Sequence, residues 1–257
     1  MLTQIDCWES PSTADVADAM AAIPTLYSWQ GYCPGWGAPY GGGWSVSGVQ
    51  AVLQGLGRYL PLLVPASGDP ASTPQNEAGW NVAVQLARYH VEGAGGLFLS
   101  CGLDVEAGWS TAYPAGWRAA AFAFALACLR AGVASVVYGS PSFLSSLIGA
   151  AAPSVIYAGE WPNGANTPGT VPDLAQIPGI PDSAWSGPGQ RIWQYQGGHA
   201  VTGLSINVDA SLTTSEVPYC RPALALPAPA PDPAPVSPAV LAPGTYTVPS
   251  GATLTIS

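Results

Sequence analysis

Residues 96–106, reading Gly-Leu-Phe-Leu-Ser-Cys-Gly-Leu-Asp-Val-Glu, limit the fold of this chain more than any other stretch. The run reads as a buried apolar strand that ends on two carboxylates one residue apart. Side chains in a strand alternate between faces, so Asp104 and Glu106 share one face while Leu103 and Val105 share the other. Their Cα atoms would lie about 6.6–6.8 Å apart at ordinary strand rise. Two acids on one face, at the C-terminal end of a buried strand, are costly unless solvated, paired or used.

The segments on either side alternate between strand and helix. Leu2–Trp8 reads as a first strand, with Gln4, Asp6 and Trp8 on one face and Ile5 and Cys7 on the other. A helix capped near Ser12 or Thr13 runs through Ala22 and is stopped by Pro24. Thr25–Trp29 and Tyr59–Pro65 read as strands, separated by a Gly-, Trp- and Tyr-rich loop over Gly31–Gly48 and a helix over Val49–Gly57. Asn76–Val91 carries apolar residues at helical spacing and leads into the 96–106 strand. An aromatic loop follows Glu106, then a helix over Pro114–Ala131. Ala134–Tyr138 and Ser154–Ala158 are further strands, with a short helix over Phe143–Ala150 between them. Gly159–Gly189 shows little helix signal, and Arg191–Tyr195 and Leu204–Asp209 are the last two strands of this region.

Such alternation implies a parallel sheet, and about eight strands over some 210 residues fit a closed barrel better than an open one. The expected class is therefore α/β: an irregular TIM-like β/α barrel whose late helices are missing. Residues 1–220 would form it. Residues 221–243 would be a Pro/Ala-rich linker of extended polyproline, spanning about 60–70 Å at about 3.1 Å per residue. Residues 244–257 alternate on either side of a Pro-Ser-Gly turn and read as a small hairpin, with a disordered tail as the alternative. One hairpin is not stable alone in water, so it would dock on a larger assembly or oligomerise.

Composition excludes several classes. Six basic residues against fifteen acidic ones, a net charge of -9, cannot form the patch that duplex nucleic acid requires. No apolar run of about 18 residues marks a membrane span. The N-terminus opens directly into a strand and lacks a basic n-region and an h-region, so no signal peptide is seen. The five cysteines have no metal-type spacing and read as buried small apolar residues, with room for one disulfide. No dinucleotide fingerprint, P-loop, Gly-x-Ser-x-Gly or metal-ligand spacing of His90 and His199 is present, so no cofactor and no metal are expected.

Carboxylates end two further strands, Asp6 the first and Asp209 the last. First and last strands are neighbours in a closed barrel, and C-terminal strand ends form its active face. Asp6, Asp104, Glu106 and Asp209 would then meet at one mouth, each with capping or ion pairing as its alternative role. Trp8, Tyr138, Tyr157, Trp161 and Tyr195 sit at or just beyond strand ends, where rings can stack on sugars or pack the rim. Glu160 is a further candidate at the mouth.

The ordered set Ile5-Asp6, Leu103-Asp104-Val105-Glu106, Val137-Tyr138-Gly139-Ser140, Ile156-Tyr157-Ala158-Gly159-Glu160-Trp161, Trp193-Gln194-Tyr195 and Val208-Asp209 resembles the glycoside hydrolase family 25 lysozymes. It is closer still to the related glycoside-hydrolase-like domain family of largely unknown function. The resemblance covers about Leu2–Leu212. It implies a lysozyme-like O-glycosyl hydrolase acting on bacterial peptidoglycan, with cell-wall polysaccharide as partner. By position, Glu106 resembles the general acid. Asp104 resembles the group that orients a substrate N-acetyl group or stabilises charge, and Asp6 and Asp209 resemble the flanking carboxylates. Gln194 joins the aromatic residues and Glu160 as expected substrate contacts.

The aromatic loop over 32–47 and the low charge are unusual for those lysozymes. They keep open an inactive glycan-binding or display module, for example a bacteriophage tail or capsid appendage. Either reading places the protein outside a cell or on a virion.

Overall fold

The structure, a computed structural model, describes residues 2–33, 43–65, 67–74, 76–147, 153–159, 191–201, 204, 206–223, 244–247 and 253–256. The chain divides into two units, Met1–Ala223 and Leu224–Ser257. In the first, eight strands close into a barrel. They are β1 (Leu2–Asp6), β2 (Leu26–Tyr32), β3 (Tyr59–Leu63), β5 (Ser100–Asp104), β6 (Ala134–Gly139), β7 (Val155–Gly159), β8 (Arg191–Ala200) and β9 (Asn207–Thr213). A short strand β4 (Gly96–Leu97) stays outside and pairs with β10 (Arg221–Pro222).

Period-two alternation divides the barrel side chains into two sets. Ile5, Trp29, Leu63, Leu103, Val137 and Ile156 belong to the large core that the strands share with the helices. The alternate positions form a different set, with a small apolar cluster at Leu60, Val136, Tyr157 and Ile192. Toward β1, β2 and β9 this set turns polar, with Gln4, Ser28, Gln30, Ser211 and Thr213 all buried. The Tyr219 hydroxyl and the Ser28 hydroxyl both donate to Gln4 Oε1, at 2.8 and 3.4 Å, and so satisfy its buried oxygen.

Helices follow the early strands. The first, α1 (Thr13–Ala22), carries the expected cap: the Ser12 hydroxyl accepts from the Asp15 amide and the Asp15 carboxylate accepts from the Ser12 amide. Then come α2 (Val46–Gly55) and α3 (Glu77–Gly93), the latter capped by Asn76. Just ahead of α2 in the chain is fully buried Trp44, whose indole N–H donates to the Cys7 carbonyl at 3.1 Å. Its ring lies across the backbone at Gly31, where an added Cβ would sit 2.3–2.5 Å from ring carbons. Gly31→Ala is therefore expected to destabilise by about 1–3 kcal/mol through overpacking. Thermal unfolding should show a Tm lower by several degrees; an unchanged Tm would mean that the ring yields freely.

Several expectations are corrected. Residues 96–106 are not one strand: Leu97 and Leu99 are 46% and 37% exposed, and β4 is drawn out of the barrel by pairing with β10. The stretch expected to be an aromatic loop is α4 (Ala107–Ala112), joined end to end with α5 (Pro114–Arg130). Its Gly, Ser, Thr and Trp residues are modest helix formers. Packing of Trp109 on Trp117, with ring centroids 5.8 Å apart, supplies what propensity lacks. The sheet is not all parallel. The barrel strands β1, β2, β3, β5, β6, β7 and β8 pair in parallel, but β9 runs antiparallel to both β8 and β1. The short helix α6 is Pro141–Ser145, and β9 begins later than expected. All five cysteines are buried free thiols.

In the second unit, β11 (Gly244–Thr247) pairs antiparallel with β12 (Thr253–Ile256), with Tyr246 opposite Leu254. The linker reading falls on residues outside the described ones, apart from residues 221–223. No described helix is long and apolar enough to cross a membrane.

Candidate active site

The four acids do meet at one end of the barrel, though not quite as strand ends. Asp6 is the last residue of β1 and Asp104 the last of β5. Glu106 lies just beyond, as the residue that starts α4. Its carbonyl accepts from Trp109 and Ser110 N–H, both at 3.0 Å, while its side chain makes no capping bond. Backbone continuity preserves the alternation: the Val105 amide still donates to the Tyr138 carbonyl at 3.1 Å and Val105 is fully buried. Asp209 is the third residue of β9, so it is not a C-terminal strand end. Because β9 runs antiparallel, its early residues lie beside the end of β1, and Asp209 stands directly opposite Asp6.

Asp104, Glu106 and Asp209 line a cavity of about 210 Å³ together with Trp8, Gln30, Tyr32, Leu62, Tyr138 and Gln194. Asp6 sits beneath them, 2% exposed. The Tyr157 hydroxyl donates to Asp6 Oδ2 at 2.9 Å and shares a 2.8 Å bond with the Ser211 hydroxyl. Gln194 Nε2 donates to Asp6 Oδ2 at 3.3 Å and to Asp209 Oδ2 at 3.0 Å. The Tyr138 hydroxyl donates to Gln194 Oε1 at 2.8 Å, which fixes the amide with its NH₂ toward the acids. Asp209 Oδ1 also accepts from the Gly198 backbone N–H.

Donors are thus concentrated on one pair of acids. Asp6 and Asp209 receive them; Asp104 Oδ1 is buried and receives none, and no ion pair among the described residues holds Glu106. Burial raises the pKa of all four. The facing charge of Asp209 adds to it at Asp6, against the opposing pull of Tyr157 and Gln194. The charge of Glu106, then Asp6 and Asp209, adds to it at Asp104. For Glu106, partial burial of the carboxyl comes first and the Asp209 charge second. At Asp209 burial outweighs the Gly198 N–H. These are the two ways in which a carboxyl keeps its proton toward neutral pH: a poorly solvated place and like charges nearby.

The aromatic candidates separate. Trp8 is 45% exposed at the cavity and stacks on Tyr32, with centroids 4.1 Å apart and planes 8° from parallel. Tyr138 lines the cavity, edge-on to Tyr157. Tyr157 is fully buried, so its ring is not a face on which a sugar can lie; its hydroxyl positions Asp6. Tyr195 packs partly buried against the large core and does not line the cavity. Glu160 and Trp161 lie outside the described residues. Sequence reasoning missed Leu62, an apolar position of β3, and, having ended β2 at Trp29, it missed Gln30 and Tyr32. The alternation Ser28, Gln30, Tyr32, in phase with Gln4 and Asp6, is the signal that would have found them. Among the described residues no group of three or more His, Cys, Asp or Glu has the geometry to hold a metal ion.

Tyr138 is held where the chain has Gly159, at which a Cβ would lie 2.3 Å from the tyrosine oxygen. Tyr138→Phe removes the bond that orients Gln194, at a cost of about 0.5–1.5 kcal/mol. Turnover on any substrate processed at this cavity is expected to fall about 3- to 10-fold. Steady-state kinetics with an unchanged far-ultraviolet spectrum would check it.

A β/α barrel with an acidic cavity at its mouth is the class that this geometry defines. No family model and no curated protein matches the chain. Solved structures do. An uncharacterized protein of B. stearothermophilus is 15% identical, with a TM-score of 0.58, covering 84% of this chain and 98% of that one. The Tat-secreted protein Rv2525c of Mycobacterium tuberculosis, solved with HEPES, is 13% identical, with a TM-score of 0.57 and the same coverage. GHIP, a glycosyl hydrolase 25 of Streptococcus pneumoniae described as a virulence factor, is 9% identical, with a TM-score of 0.55, covering 83% of this chain and 87% of that one. At these identities the likeness is one of fold.

Proposed function

We propose that this chain is a glycoside hydrolase acting on bacterial cell-wall glycan, a muramidase-type enzyme with Glu106 as general acid. The observation that carries the reading is the unequal sharing of donors within the acid cluster. Tyr157, Gln194 and Gly198 pull Asp6 and Asp209 toward their ionised forms, against the burial that holds both pKa values above the ordinary range. Burial first, then nearby negative charge, favours the protonated forms of Asp104, which faces Glu106, Asp6 and Asp209, and of Glu106, which faces Asp209; neither accepts such a donor among the described residues. Glu106 lines the cavity with its carboxyl unencumbered, so it is the proton donor to a glycosidic oxygen. Protonation weakens the bond to the leaving sugar as positive charge builds on the ring, and Asp209 stabilises that charge. Asp104, with an unpartnered oxygen, accepts from a substrate N–H or orients its acetamido group. Trp8, backed by Tyr32, offers a flat face to a sugar ring.

The similarity to a glycosyl hydrolase 25 and to a Tat-secreted protein supports action on an extracellular wall. Release of reducing sugars from purified peptidoglycan is the test: a steady release above buffer supports the hydrolase, and background release overturns it for that polymer.

The terminal hairpin favours a second reading, in which the barrel binds glycan without cleaving it and the hairpin anchors it to a larger assembly such as a phage particle. Sedimentation with sacculi in the absence of sugar release would support that reading over the first.

A further inference from the structure

A second cavity, of about 260 Å³, is lined by Ser110, Thr111, Pro114, Arg118, Ser142, Phe143 and Ser146. It lies among α4, α5 and α6, the helices that follow β5 and β6, so it stands on the same end of the barrel as the acids. The six-residue helix α4 bounds both cavities, with Glu106 at its start and Ser110 and Thr111 near its end. At about 1.5 Å per residue, Glu106 and Thr111 are offset by roughly 7–8 Å along the axis of α4.

The donors and acceptors in this cavity specify a ligand. Arg118 makes no ion pair, hydrogen bond or ring contact among the described residues. Four of the other five arginines have partners: Arg58 lies over the Tyr27 ring, Arg88 bonds the Ala131 carbonyl, Arg130 meets Glu77 and Arg191 is buried within the barrel unit. In a chain of net charge -9, a guanidinium left open in a cavity is a fork of donors for a carboxylate.

Three of the four hydroxyls have the opposite polarity. Ser110 donates to the Glu106 and Ala107 carbonyls, Thr111 to the Ala107 carbonyl at 2.8 Å and Ser146 to the Phe143 carbonyl at 2.6 Å. The protons of these three are committed, and what they offer a ligand is lone pairs, which attract N–H groups and repel a second carboxylate, whereas Ser142, bonded to the Ser140 hydroxyl, can donate or accept. Phe143 and Pro114 add apolar surface.

We infer that this cavity binds the carboxylate end of a short peptide: the carboxylate on Arg118, the neighbouring N–H groups on the hydroxyl oxygens and a small side chain against Phe143. The inference deepens the wall-glycan reading, in which the peptide is a branch of the polymer held at Glu106.

The test uses the full chain and a probe without sugar. Backbone amide resonances of α4, α5 and α6 are followed during titration with the dipeptide Ala-Ala and, separately, with its C-terminal amide at equal ionic strength. Saturating shifts are expected for the acid, at least fivefold tighter than for the amide. Arg118→Gln should reduce the acid to the level of the amide, and Arg118→Lys should retain part of the difference. Equal titration by acid and amide, or an Arg118→Gln variant that binds the acid as the parent does, overturns the site. Because no glycan is present, dipeptide binding without sugar release from peptidoglycan would sink the hydrolase and leave the peptide site standing.

Discussion

Glu106→Gln is expected to lower the rate of sugar release by about 10²- to 10⁴-fold, the range over which a positioned general acid acts. The substitution keeps the shape of the side chain and removes the transferable proton. Glu106 bears no capping or ion-pair role among the described residues, so stability should change little. The pH profile separates this role from a structural one. A general acid works only while protonated, so kcat/KM of the parent must fall as pH rises through the Glu106 pKa. That pKa lies above the ordinary 4.5 because of burial and the Asp209 charge. Asp209→Asn removes the charge, so the falling limb should move to lower pH. A Glu106→Gln variant of full activity, or a limb that does not respond to Asp209→Asn, would remove Glu106 from the role of acid.

The second large effect is on stability. Asp104 is 3% exposed, with one oxygen lacking a partner, and burial with the neighbouring acids holds its pKa well above 3.8. A carboxyl raised on folding binds more protons in the native state than in the unfolded one, so unfolding free energy falls as pH increases. Its stabilising contribution is complete below the ordinary carboxylate range and is lost as pH rises through the folded-state value. Asp104→Asn removes this term. Its Tm, compared with that of the parent, should be a few degrees more favourable at pH 7.5 than at pH 4, the scale at which about 1 kcal/mol shows in a chain of this size. Thermal melts at the two pH values measure the difference between differences, which cancels the ordinary cost of the substitution. Equal shifts at both would mean that Asp104 folds without a charge penalty. A native state that carries such a penalty at neutral pH fits a site kept for chemistry over stability.

Much of this was legible in the sequence for local reasons. Ser12 and Asp15 form a capping box whatever the rest of the chain does, and α1 lies where they place it. Asp104 and Glu106 share a side because extended backbone alternates, even though the strand itself ends between them. Alternating strand and helix led to a barrel, and the barrel is there. The misreadings share a cause, which is that distant residues decided. The pull of β10 on residues 96 and 97 comes from more than a hundred positions away. Weak helix formers at 107–112 became helical because Trp109 had Trp117 to rest on. The direction of β9 depends on its pairing with β1, and that direction, not a strand terminus, brings Asp209 to the acids.

The sequence by itself thus determined the alternation of faces, the helix starts, the acidic character and the four carboxylates that could form a site. All of these follow from backbone stereochemistry and side-chain type within a few residues. Only the tertiary structure decided which acids receive donors. Tyr157 and Gln194 meet Asp6 from 151 and 188 residues away, and barrel closure alone brings those groups within hydrogen-bond distance.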